Sequence, residues 1–123
     1  MIYHQNGWEF KFWTDDNIQE LVDFDPEVKE FLQSWNNQDP VAKVDILSFV
    51  ALKKYGGIYL DMDVICLENF DVVRNQYQYF FGLEPFNHWS RTQPNPNFGL
   101  IGASKNNPFN SLVLKNWMKY WQD

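Results

Sequence analysis

Two carboxylates one residue apart, Asp61 and Asp63, are the residues of this chain best suited to chemistry. Acids so close repel each other unless a cation or hydrogen-bond donors compensate their charge. Their hard oxygen ligands favour Mg²⁺ or Mn²⁺, ions that keep coordination positions open for substrate phosphates. An Asp-x-Asp alone is a weak signal, because a solvated turn carries the same pattern. Its setting decides how it reads.

The setting is a helix, a glycine pair and a short strand. From Val41 to Tyr55 the apolar residues Val41, Val44, Ile46, Leu47, Phe49, Val50, Ala51 and Leu52 leave little polar surface. This predicts a helix buried on most sides. Gly56-Gly57 ends it, as glycine commonly does past a helix C-terminus. Ile58-Tyr59-Leu60 is short and β-rich and reads as a strand, so both acids fall at its carboxyl end, where open α/β sheets bind ligands. Val64 to Leu67 is expected to resume extended structure.

Around this block, strand and helix signals interleave, which makes the class α/β. Trp8 to Trp13 alternates as a half-buried strand. Thr14-Asp15-Asp16 offers a cap for a short helix over 17–22, and Asp25-Pro26-Glu27 opens a second with Val28, Phe31, Leu32 and Trp35 on one face. Tyr77 to Leu83 and Asn97 to Ala103 read as strands, joined by a Pro-rich loop. Asn107-Pro108 begins a last helix with Leu112, Leu114, Trp117, Met118 and Trp121 inward.

The 123 residues suit one domain, spanning 1–123, and 45% hydrophobic and 19% aromatic residues give ample core material. A net charge of −6 argues against a nucleic-acid partner, which calls for a basic face. An acidic chain still takes a phosphorylated small molecule if a divalent cation lies between the two. Cys66 is the only cysteine, so no internal disulfide forms, and its apolar run predicts a buried, inert thiol. No stretch reaches the roughly 20 apolar residues of a membrane span. No signal peptide is visible either, and if the chain is complete the expected compartment is the cytoplasm.

The run Lys43-Val44-Asp45-Ile46, then Leu52-Lys53-Lys54-Tyr55-Gly56-Gly57-Ile58-Tyr59-Leu60-Asp61-Met62-Asp63-Val64, resembles the DXD-containing sugar-binding region of the glycosyltransferase family 32 type. Phe10 to Asp16 is similar to the strand that precedes the family's first helix, and Asn97 to Phe109 to its Asn-rich strand and Pro-Phe helix start. The resemblance implies a GT-A-like, Rossmann-like nucleotide-sugar-binding core. It implies a metal-dependent hexosyltransferase taking a UDP- or GDP-hexose donor, with retention at the anomeric carbon and a glycan, lipid-linked or protein acceptor. In that family's terms Asp63 holds the Mn²⁺ or Mg²⁺ that bridges the donor diphosphate. Asp61 contacts the ribose or the metal through water, Asp45 hydrogen-bonds the donor sugar or ribose, and Tyr59 faces the nucleotide.

The chain departs from the family pattern on the helix. Val44 stands where the family has Ser and Ser48 where it has Arg, so no guanidinium is offered there, although Asp45 and Ser48 are three residues apart and share a face. The family's usual opening strand and closing segment are also missing, so the expected core is incomplete at both ends. These departures support an alternative: a non-catalytic nucleotide-sugar-binding protein that keeps the fold. A haloacid-dehalogenase-type phosphatase also carries Asp-x-Asp after an apolar strand, but it needs a later acidic pair that is absent after Asp63. Asn97, Gly99 and Gly102 read as structural, and His4 and His88 as solvated, with no partner at ligand spacing. Trp89 and Arg91 read as surface residues of the loop, and Trp117 with Trp121 as core.

Overall fold

A computed structural model describes residues 2–5, 7–36, 39–85 and 94–122. His88, Trp89 and Arg91 lie outside the described residues, as does the side chain of His4. Strand β1 (Ile2–Gln5) pairs antiparallel with β2 (Trp8–Lys11), Tyr3 opposite Phe10. Helix α1 (Gln19–Phe24) starts later than the Thr14-Asp15-Asp16 signal implies, and its cap, Ile18, makes no side-chain bond. Asn17 takes over the turn: its Oδ1 accepts from Thr14 N at 2.7 Å while its Nδ2 donates to Phe12 O at 2.8 Å. A carboxamide can do both at once, which an acceptor-only carboxylate cannot.

Helix α2 (Pro26–Ser34) is capped as its sequence signals. Asp25 Oδ1 accepts from Glu27 N at 3.1 Å and Val28 N at 3.2 Å. The other oxygen of this buried carboxylate receives Lys53 Nζ at 2.6 Å, which fastens α2 to helix α3 (Pro40–Tyr55). Helix α3 is the centre of the molecule and packs against α1, the sheet and the last helix. Ile46, Leu47, Phe49, Val50 and Leu52 are each no more than 2% exposed, so Phe49 truncated to Ala would cost about 3–5 kcal/mol. In its first turns Ala42 is buried, but Val41 and Val44 are exposed, where the sequence pattern suggests burial.

Gly56 stops α3 at φ 68°, ψ −166°, a backbone state closed to residues with a side chain. A methyl group there would also lie 2.7 Å from Lys105 N. The chain thereby turns straight into β3 (Gly57–Leu60). Beyond it, Val64 N donates to Asp61 O at 3.1 Å, closing a turn over Met62-Asp63. Residues 64–67 do not resume a strand: the turn carries them off the sheet, and Ile65 and Leu67 are exposed. Cys66 is exposed too, contrary to the buried thiol expected from its apolar neighbours, and its Sγ contacts Glu68 O at 2.9 Å.

A short helix α4 (Asp71–Gln76), which the sequence pattern does not announce, leads to β4 (Tyr79–Leu83) and β5 (Pro96–Ala103). The sheet order is β3-β5-β4, both pairings antiparallel, with Leu60 opposite Leu100 and a register shift between Phe81 and Gly82. The class is thus α/β, but no parallel pair of the Rossmann-like kind occurs among the described residues. Helix α5 (Pro108–Gln122) is capped by Asn107, whose Oδ1 accepts from Phe109 N and Asn110 N. Its inward line is Asn110, Leu114 and Met118, a spacing of four residues. Leu112 lies off that line and is exposed, not inward as expected. Asn110 takes a core position instead, donating from Nδ2 to Phe49 O at 2.9 Å. Trp117 packs on the core and Trp121 stacks on it at 5.3 Å, near the surface.

Candidate functional site

Strand β3 packs Tyr59, partly buried, against the core and delivers Asp61 at its end. The Tyr59 hydroxyl donates to Asp61 Oδ1 at 2.8 Å. From the neighbouring strand, Gly99 O accepts from Asp61 N at 2.8 Å, so the first acid is fixed by backbone and side chain alike. Asp63 sits exposed at the corner of the turn, beside a Met62 that is 98% exposed. Asp45 reaches the same region from α3, half-buried.

The electrostatics show how close these groups are. Burial pushes the Asp45 carboxyl up, and the charges of Asp61 and Asp39 push it further. Burial also drives the Tyr59 hydroxyl well above its ordinary value, aided by its bond to Asp61 and by the charges of Asp45 and Asp63. Tyr59 therefore stays protonated and remains a donor. All four residues singled out from the sequence share one patch of negative potential, and no ion pair among the described residues neutralises it.

That donor set fits a small divalent cation. Asp61 Oδ2 and both oxygens of Asp63 accept no hydrogen bond among the described residues, and all are hard ligands. No group of three or more His, Cys, Asp or Glu among the described residues would enclose a metal unaided. Mg²⁺ and Mn²⁺ sites of this kind take one or two carboxylates and leave the rest to phosphates and water. Clefts of about 380 Å³ (between α2 and α5) and about 260 Å³ (among α1, α2 and the start of α3) lie elsewhere, lined by none of the four. The acids occupy open surface, where charge rather than enclosure captures a ligand.

Ser48 does not stand in for a missing cation. It is 4% exposed and its hydroxyl donates to Asp45 O at 2.7 Å, inside the helix. Conversely, β5 contributes more than its sequence suggests. A methyl group on Gly99 would lie 2.8 Å from Asp61 Oδ2 and 2.9 Å from Asn97 Oδ1, so both side chains press against a bare α-carbon. The Asn-x-Gly spelling was the available signal, but only the pairing of β3 with β5 brings it to the acids.

Two acids thus stand at and just past the end of a strand in a mixed α/β domain. The family follows from comparison: residues 1–80 match the glycosyltransferase sugar-binding region containing DXD motif, and the chain belongs to that family. An uncharacterized glycosyltransferase of Acanthamoeba polyphaga mimivirus is 30% identical over 122 residues, which cover 93% of this chain and 46% of the relative. Inositol phosphoceramide mannosyltransferase 3 of Schizosaccharomyces pombe is 28% identical over 119 residues, covering 92% of this chain and 29% of the relative. Inositol phosphoceramide mannosyltransferase 1 of the same yeast is 26% identical over 95 residues, covering 73% and 29%. The chain thus spans less than half the length of these curated relatives. No solved structure matches it.

Proposed function

We propose that this chain is the donor- and metal-binding core of a GT-A-type hexosyltransferase that uses a nucleotide-sugar and retains anomeric configuration. The observation that carries the reading is the convergence of Asp45, Tyr59, Asp61 and Asp63 at the end of β3, with no ion pair to any of them among the described residues. Asp63, at the exposed corner, holds Mn²⁺ or Mg²⁺, with Asp61 contributing directly or through water. Asp61, oriented by Tyr59, also meets the ribose. Asp45 accepts from a hydroxyl of the donor sugar or ribose, a bond that offsets the cost of keeping it charged while half-buried. Tyr59 faces the nucleotide. A bound divalent ion supplies compensation for the charge that the departing diphosphate gains.

The names of the two yeast relatives favour mannose as the hexose and a lipid-linked phosphoinositol as the kind of acceptor, within the broader class of glycan, lipid-linked and protein acceptors. No described helix is long and apolar enough to cross a membrane.

One observation favours a second reading, a nucleotide-sugar binder without transfer activity. Ser48 is folded onto the helix backbone where the family carries an arginine, so α3 offers no guanidinium to the sugar or phosphates. The test is incubation with GDP-mannose and UDP-glucose in Mn²⁺ while following hexose release. Release that disappears in Asp63→Ala supports the enzyme. Metal-dependent nucleotide binding without release supports the binder, and a folded chain with neither removes both readings.

A further inference from the structure

The smaller cleft, about 260 Å³, opens among α1, α2 and the start of α3. Asp39 joins it to the acid patch: it lines the cleft, and its charge is felt at Asp45. Lys43 on the cleft side and Asp45 on the patch side are two residues apart. Cleft and patch therefore flank one turn of a helix about 10 Å across with its side chains. The cleft is built from different chemistry. Trp35 gives it an aromatic wall, held by Phe31 at 5.2 Å and Trp121 at 5.7 Å between ring centres. Asp23 Oδ1 accepts from Lys29 Nζ at 2.7 Å and from Gln19 Nε2 at 3.2 Å, which fixes both lining residues in place. Lys29 keeps two further N–H donors, and Lys43 enters no ion pair among the described residues. In the lining, Lys29 and Lys43 face Asp39 alone, on a chain of net charge −6. The larger cleft, between α2 and α5, sets Glu27 and Glu30 against Lys115 and Lys119 and has no such surplus.

We propose that this cleft is the acceptor subsite and takes a phosphorylated polyol ring. The phosphate accepts from Lys43 and Lys29, the C–H face of the ring lies on Trp35, and the hydroxyls meet the carboxamides of Gln19 and Gln33. The lining decides the class. A bare phosphate needs only the lysines, and a neutral sugar only the amides and the aromatic ring; both sets together suit a molecule that carries both groups. The volume lies just under the roughly 300–1,000 Å³ of sites for drug-sized ligands, which suits one ring with its phosphate and not a whole nucleotide-sugar. Charge divides the labour: the acid patch takes phosphates only through a cation, whereas the lysines attract one directly. The inference rests on the transferase reading above and deepens it, seating the acceptor across the first turns of α3 from the donor.

The test is calorimetric titration of the whole chain, without nucleotide or metal, using myo-inositol 1-phosphate, myo-inositol and inorganic phosphate. The wild type is expected to bind the phosphorylated ring at least about tenfold more tightly than either fragment. Lys43 is exposed, so Lys43→Gln is expected to fold normally and to weaken that binding about five- to tenfold. Gln33→Ala is expected to weaken it about three- to fivefold. Phosphatidylcholine vesicles with and without phosphatidylinositol separate the sources. Cosedimentation that needs both the inositol lipid and Lys43 assigns a lipid headgroup; binding of the free phosphate without cosedimentation assigns a soluble polyol phosphate. The proposal is overturned by a folded wild type that binds no myo-inositol 1-phosphate, or that binds inorganic phosphate as tightly. Equal affinity in Lys43→Gln, or the same loss in Lys115→Gln on the other cleft, overturns it too. Asp63→Ala is expected to leave inositol phosphate binding intact while abolishing metal-dependent nucleotide binding. A wild type that takes inositol phosphate but no nucleotide overturns the donor-site reading and the acceptor role with it. One that takes nucleotide but no inositol phosphate overturns the cleft alone.

Discussion

The Tyr59 hydroxyl and Asp61 Oδ1 are 2.8 Å apart, and this bond decides which oxygen of the acid is left for a ligand. A carboxylate at the end of a strand is otherwise free to rotate about its χ angles. The phenol, held protonated by burial and by three nearby acids, restricts it. Tyr59→Phe is therefore expected to keep the fold, since the ring still packs beside the core, and to weaken Mn²⁺-dependent nucleotide binding by about three- to tenfold. Equal Kd values for wild type and variant, measured calorimetrically, would show that Asp61 needs no such guide.

Asp45 illustrates how a proposed site residue costs stability. Its folded pKa is raised, first by burial and then by Asp61 and Asp39, so its ionised form is less favourable in the folded chain than in the unfolded one. The penalty is absent at acid pH, where the carboxyl is protonated in both states, and grows as pH rises past its unfolded value. At pH 7, Asp45→Asn is expected to raise the melting temperature of the ligand-free chain by about 1–3 °C while weakening donor binding. The gain should fade by pH 3. A lower melting temperature at pH 7 would mean that Asp45 makes a stabilising contact instead.

The sign is opposite at Glu20. Lys11 and Lys54, at 2.8 Å and 2.6 Å, together with the Tyr55 hydroxyl, hold its carboxyl down to about 2 from an ordinary 4.5. A carboxylate with a depressed folded pKa stabilises above its unfolded pKa, and that contribution drains away as pH falls from about 4.5 towards 2. The cluster joins β2, α1 and α3, but Glu20 is about one-third exposed, so solvent screens much of it. Urea midpoints taken between pH 5 and pH 2.5 should fall more steeply for the wild type than for Glu20→Gln. Parallel curves would remove the cluster from the account of acid stability.

What the sequence disclosed, and what it did not, follows the reach of each signal. The end of α3, the Gly56 stop, β3 and the Asp61–Asp63 turn are written in neighbouring residues, and so is the Asp25-Pro26 start of α2. The acids were therefore legible as a candidate site from neighbouring residues alone. Asn97 and Gly99 were not, because their role depends on β5 pairing with β3, Leu100 opposite Leu60, across a long stretch of chain. The antiparallel order β3-β5-β4 was hidden for the same reason: interleaved strands and helices suggest parallel crossovers, and only pairing partners decide. Cys66 and Leu112 were misplaced by a different weakness. Apolar character says that a residue can be buried, not that a small domain has interior enough to bury it.

The central claim, that Asp63 and its neighbours form a cation-dependent nucleotide-sugar site, is tested most directly by calorimetric titration with UDP and then GDP. Each is titrated with and without Mn²⁺, into wild type and Asp63→Ala. Binding of one nucleotide that requires the metal and vanishes in Asp63→Ala, with the melting temperature unchanged, is the result expected. A well-folded wild type that binds neither nucleotide in Mn²⁺, or binds one equally without metal and in Asp63→Ala, would contradict the claim.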